Sequence, residues 1–186
     1  RAQLVAVAHG AQVELAEDQL PAVARAADFL AEQVRREEPI YGVSTGFGSN
    51  ADRLLGGHHL RDELPGATRS TEGLHEELQR NLIVTHAVCV GEAFAPEVIR
   101  AMLCIRINTL MRGHSGIRVQ TLQAMAAMLN AGIVPVVPQL GSVGASGDLA
   151  PLSHLAIVLL GGGEALYEGK RVAGAVALER AGLAPV

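Results

Sequence analysis

Residues 141–152 read GSVGASGDLAPL, and four very small residues, Gly144, Ala145, Ser146 and Gly147, stand in a row just ahead of Asp148 and an apolar run that reads as a helix. Glycine-rich backbone gives up much entropy on folding and buries little, so such a run marks a geometry that side chains would forbid. The plainest reading is a tight turn feeding a helix that Asp148 caps. A second is phosphate binding by free amides at a helix start. Against it, the GxxxxGK[ST] spacing is missing and the chain has a single lysine, Lys170. A hydrolase built from Ser146, His154 and Asp148 fails on the absent GxSxG pattern and on the short Ser–His separation. The remaining reading is covalent. If the turn presses the Gly147 nitrogen against the Ala145 carbonyl carbon, ring closure and loss of water leave an exocyclic methylidene at Ser146. That is an electrophile no ordinary side chain offers, and a helix N-terminus beside it favours developing negative charge.

The rest of the chain sets the frame for this turn. At 186 residues, with 49% hydrophobic and 18% charged residues, the sequence has the size and composition of one packed domain. Aromatics are 3% and tryptophan is absent, so the core must be built from Ala, Val, Leu, Ile and Met, which predicts a mainly α fold. The formal charge is −4 and no Lys/Arg stripe is present, which argues against nucleic acid. Apolar runs such as Leu155 to Leu160 are too short to span a bilayer, and no basic-then-apolar signal opens the chain. The expectation is a cytoplasmic protein without a membrane partner. Cys89 and Cys104 both fall in apolar patterns read as helical, so neither a disulfide framework nor a zinc site is expected.

Periodicity predicts helices over 21–36, from Leu74 onward, from Pro96 toward Gly113, over 119–130 and from Asp148 to Leu160. Steps of four place Leu74, Leu78, Leu82, His86 and Val90 on one face, so His86 interrupts an apolar stripe. IVPVVP, residues 133–138, suits an extended connector. ALYEGKRV predicts a short hairpin and AVALERAG a last helix. YGVSTGFG, residues 41–48, is a glycine-dense loop, with Gly42, Gly46 and Gly48 in one short window. The stretch from Ser49 to Gly73 reads as irregular and polar. On residue type alone, Tyr41 is a surface or half-buried tyrosine and His86 a hydrogen-bonded core histidine. His58, His59 and His75 read as solvated loop histidines rather than metal ligands. His114 and His154 read as flanking helices and bonding to backbone.

Taken together, GSVGASGDLAPLSH and YGVSTGFG resemble the two hallmark motifs of the aromatic amino acid ammonia-lyases and aminomutases. The likeness extends through LQRNLIVTHA, RINTLMRGHSGIR and LNAGIVPVVPQL, and so covers nearly the whole chain. It implies the N-terminal domain of the ammonia-lyase (fumarase/aspartase-like) fold over residues 1–186, mainly α with a few short strands and long loops. It further implies that Ala145, Ser146 and Gly147 mature into 4-methylidene-imidazol-5-one, with no metal. Tyr41 falls on the base that removes the substrate β-proton, which requires a partly ionised phenol. The glycines near it, Gly48 included, allow the loop to close over substrate. Thr85 and His86 resemble the Ser-His pair of histidine ammonia-lyases, where a neutral imidazole can exchange a hydrogen bond with substrate. The implied reaction is elimination of ammonia from L-histidine to trans-urocanate. A tyrosine ammonia-lyase or tyrosine 2,3-aminomutase is the alternative within catalysis, and an inactive helical scaffold with an uncyclised triplet is the alternative outside it. Family members continue for several hundred residues and form tetramers. The expectation is therefore an incomplete domain that partners with itself or with the missing C-terminal part. Two local departures stand out: the long 49–73 segment, and Val88-Cys89 where Ala-Gly is usual.

Overall fold

The computed structural model describes residues 1–48, 71–144 and 147–186. Its helices are α1 (Ala2–Ala8), α2 (Leu20–Arg35), α3 (Thr71–His86), α4 (Pro96–Leu110), α5 (Val119–Asn130), α6 (Leu149–Leu159) and α7 (Gly174–Arg180). Short strands lie between them: β1 (Val90–Ala93), β2 (Val134–Pro135), β3 (Pro138–Leu140), β4 (Glu164–Tyr167) and β5 (Lys170–Ala173). The mainly α expectation therefore holds among the described residues, with short antiparallel strands as trim.

Helices α4 and α5 form the centre. Ile99, Leu103, Ile107 and Leu110 recur at helical spacing along α4 and are buried, facing Leu122, Met125, Met128 and Leu129 of α5. Around this pair, α1 packs on α4, α2 on α5, and α6 touches α3, α5 and α7. One charged side chain enters the core. Arg100 is buried and donates to the carbonyl oxygens of Val7, Ala11 and Leu129 at 2.9, 3.1 and 2.8 Å, joining the end of α1 to the end of α5. Desolvation pushes its pKa below the usual arginine value.

The strands fold over the ends of these helices. β2 pairs with β4 and β4 with β5, all antiparallel, while β1 pairs with β3 at Val90↔Leu140 and Ala93↔Pro138. Between β4 and β5 the two-residue turn Glu168-Gly169 has both φ positive, at 50° and 72°, the geometry that lets a tight hairpin follow strand twist.

Two expectations need correction, and one helix was not foreseen. The stripe through Leu74 does not reach Val90: α3 stops at His86 and Val90 opens β1, so Cys89 lies in the extended link and not in a helix. Val88, Cys89 and Val90 suit extended backbone, and Gly91 at φ +88° cannot continue a helix. The 133–138 segment is extended, as read, and contributes to β2 and β3, with Ile133, Val134, Val136 and Val137 buried. His75 is not a solvated loop residue but lies in α3, 8% exposed. Helix α1 was not anticipated, because no capping side chain marks its start and it has only seven residues. His58 and His59 lie outside the described residues. No described helix is long and apolar enough to cross a membrane.

Candidate active site

The Tyr41 loop is held from within by its own hydroxyls. The Ile40 carbonyl oxygen accepts the amides of Val43, Ser44 and Thr45 at 3.0–3.2 Å. Ser44 Oγ accepts the Ile40 amide at 2.8 Å and donates to the Glu38 carbonyl, while Thr45 Oγ1 accepts the Gly42 amide at 3.3 Å and donates to the Gly46 carbonyl at 3.1 Å. Both side chains are buried. Gly42 takes φ +72°, and a Cβ there would lie 2.5 Å from the Phe47 ring, so the loop closes only over glycine. Tyr41 stacks edge-on with Phe47 at a centroid distance of 6.0 Å, and its Oη accepts the Gly48 amide at 3.2 Å. The ring itself is 65% exposed.

Helix α3 connects this loop to the second group of residues. At its start the His75 Nδ1–H donates to the Val43 carbonyl at 3.1 Å. At its end Thr85 Oγ1 donates to the Asn81 carbonyl at 2.7 Å, and the half-buried His86 donates from Nδ1 to the Leu82 carbonyl at 2.8 Å. A carbonyl can only accept, so Nδ1 carries a proton and Nε2 is not used in that bond. His75 and His86 sit about 16 Å apart along the axis and return to nearly the same face.

The third group surrounds the triplet. Ala145 and Ser146 lie outside the described residues, but the backbone on either side is defined. Gly141 runs so close to Cys89 that a Cβ there would meet the Cys89 Cα and Sγ at 2.8 Å. Cys89 donates its amide to Nε2 of His154 on α6 at 3.1 Å, so the backbone partner expected for His154 is confirmed, although the residue lies within the helix. Burial lowers the His154 pKa, which keeps the accepting nitrogen free of a proton, and pushes the Cys89 thiol up. Gly147 takes φ +120° with nothing within 4 Å of a Cβ position. Asp148 occupies the N-cap of α6 yet makes no side-chain cap bond. Its Oδ1 instead accepts the hydroxyl of Ser142.

The structure thus bonds Cys89 to the helix that follows the triplet, packs α3 on that helix, and ties the Tyr41 loop to the start of α3 through His75. The cavities lie elsewhere: one of about 260 Å³ among α5, α6 and α7, and an open groove of about 570 Å³ between α2, the Tyr41 loop and residues 112–116. Neither is lined by Gly147, Thr85 or His86. Among the described residues no group of three or more His, Cys, Asp or Glu could hold a metal. Sequence reading missed Ser44, Thr45, His75 and Ser142. The polar pair between glycines in GVSTGFG was the available signal for the first two.

The aromatic amino acid lyase family profile matches residues 1–186. A histidine ammonia-lyase of Symbiobacterium thermophilum is 48% identical over 99% of this chain and 34% of its own length. Among solved structures, the histidine ammonia-lyase of Trypanosoma cruzi superposes with a TM-score of 0.81 at 35% identity, over all of this chain and 33% of that one. Tyrosine aminomutase from Streptomyces globisporus gives 0.85 at 33%, over all of this chain and 32% of that one. The chain spans about a third of the length of these relatives. By profile, sequence and fold, this chain belongs to the aromatic amino acid lyase family.

Proposed function

We propose that the protein containing this chain is a carbon–nitrogen lyase that eliminates ammonia from L-histidine to give trans-urocanate. The observation that carries the reading is Gly147. It lies just ahead of the N-cap of α6 at φ +120°, with open space where a side chain would stand, the backbone freedom that a cyclising triplet needs. Ala145, Ser146 and Gly147 would become the 4-methylidene-imidazol-5-one, which supplies an electrophilic carbon for activating the departing amine. Tyr41 takes the β-proton at Oη. The Gly48 amide and the Ser44, Thr45 and His75 bonds hold that oxygen in place. His86 offers Nε2 to the imidazole N–H of the substrate, with Thr85 beside it, and the 48% identical histidine ammonia-lyase supports the same substrate.

Tyr41 is largely exposed, and Val88, Val90, Leu140, Val143 and Leu149 are exposed around the triplet. Other parts of the whole protein, or further copies in a homo-oligomer, complete the pocket. We place the enzyme in the cytoplasm, acting on a free amino acid. The second reading, a tyrosine lyase or 2,3-aminomutase, draws on the fold shared with the Streptomyces tyrosine aminomutase.

The test uses the full-length protein. Intact mass should show the loss of two waters, and L-histidine should yield urocanate while L-tyrosine yields neither coumarate nor β-tyrosine. Tyr41→Phe should mature normally and lose at least about a hundredfold in turnover. A chain that keeps both waters while turning over amino acids would sink the proposal.

A further inference from the structure

We infer that Ser142 is a positioning residue for maturation of the triplet: its hydroxyl ties the backbone ahead of the triplet to Asp148 behind it. This rests on the reading of Ala145-Ser146-Gly147 given above.

The tie follows from the local sequence. An N-cap aspartate ordinarily accepts the amide of the second or third helical residue. In α6 the third is Pro151, which has no N–H, and Asp148 makes no side-chain cap bond. Its carboxylate turns to Ser142 Oγ, six residues back. Gly144 corroborates the arrangement independently. A Cβ at Gly144 would lie 3.9 Å from Asp148 Oδ1 and 4.0 Å from Ser142 Oγ, so both side chains fold over that glycine, which takes φ +66°. Just upstream, Gly141 is wedged against Cys89, and just downstream α6 packs on α3. Both ends of the segment are therefore anchored in the fold, and the Ser142–Asp148 bond closes the span between them.

The chemistry requires such closure. The Gly147 nitrogen must bond to the Ala145 carbonyl carbon, whose oxygen leaves as water with the amide hydrogens of Gly147 and Ser146. A second water takes the Ser146 hydroxyl and its α-hydrogen. No oxidant or outside reagent enters. The slow part is bringing nitrogen and carbon within reach, and restraining the flanks raises the fraction of time spent there. A hydrogen bond to a carboxylate corresponds to roughly tenfold to a hundredfold in such an equilibrium.

The experiment is a time course of full-length protein made in cell-free translation, with the loss of two waters followed by mass spectrometry of the tryptic peptide. Ser142 is exposed, so alanine there leaves the core untouched. Ser142→Ala should slow maturation by roughly tenfold or more, with its thermal midpoint close to wild type, and Ser142→Thr, which keeps the hydroxyl, should restore the rate. Equal rates for Ser142→Ala and wild type would overturn the inference while leaving the proposed function standing. Failure of Ser142→Thr to recover would overturn it too, by showing that the hydroxyl is not the cause. A wild type that never sheds the waters defeats the parent reading and this one together.

Discussion

His75 shows how a single side chain can matter through its backbone partner. It is one of four buried polar or charged side chains among the described residues, and two of the others, Ser44 and Thr45, belong to the loop it holds. Its bond to the Val43 carbonyl fixes which ring nitrogen carries the proton, and that fixes a simple comparison. Asparagine places an amide N–H where Nδ1 was, whereas leucine does not. We predict that His75→Leu speeds hydrogen exchange of the Val43, Ser44 and Thr45 amides by about tenfold, and that His75→Asn restores most of the protection. Unchanged exchange in the leucine variant would show that the loop is held by its own hydroxyls alone. Nothing in the sequence marked this residue. His75 stands at the edge of the polar 49–73 stretch, one residue into the helical pattern, and its burial depends on a loop more than thirty positions away.

At the scale of elements, the helical periodicity was legible because it follows from burial of one face: α2, α4, α5 and α6 lie within a residue or two of where the apolar spacing put them. The β4–β5 hairpin was legible from its Tyr-Glu-Gly-Lys turn. What the sequence hid were features set by partners distant along the chain. Strand β1 exists because Val90 meets Leu140, and α1 is held because Val7 enters the core and its carbonyl receives Arg100. A guanidinium buried against three carbonyls, with no carboxylate partner among the described residues, is a coupling among α1, α4 and α5. Arg100→Met fills similar volume but removes all three donors. At about 1 kcal/mol net per bond the expected loss is about 3 kcal/mol, read as a lower urea midpoint with α1 exchanging first. A loss confined to a few tenths would mean that α1 docks through Val7 alone. The site was legible in the same uneven way. The resemblance of its motifs proposed Tyr41, Thr85, His86 and the triplet as site residues, whereas the Ser142–Asp148 and Cys89–His154 bonds follow from chain crossings that spacing does not encode.

For the whole molecule, the His154–Cys89 bond makes stability depend on pH in a defined sense. Burial depresses the His154 pKa below its usual 6.5, so the unfolded chain takes up a proton more readily than the native one. The stabilising contribution is complete above about 6.5 and is lost as pH falls from there through the lowered native value. Protonation also turns the accepting nitrogen into a donor facing the Cys89 amide. Thermal midpoints measured from pH 7.5 down to 5 should fall, and the fall should flatten in His154→Gln; an equal slope in both would assign it to other histidines. Helix α3 has a broader consequence. It carries the anchor of the Tyr41 loop at one end and Thr85 with His86 at the other, and it rests on α6. Like a balance beam, it cannot swivel at one tip without shifting the other. On the function proposed above, divergence toward a bulkier substrate must re-seat the whole rod on its bearing, or reshape the pocket from walls that lie outside this chain.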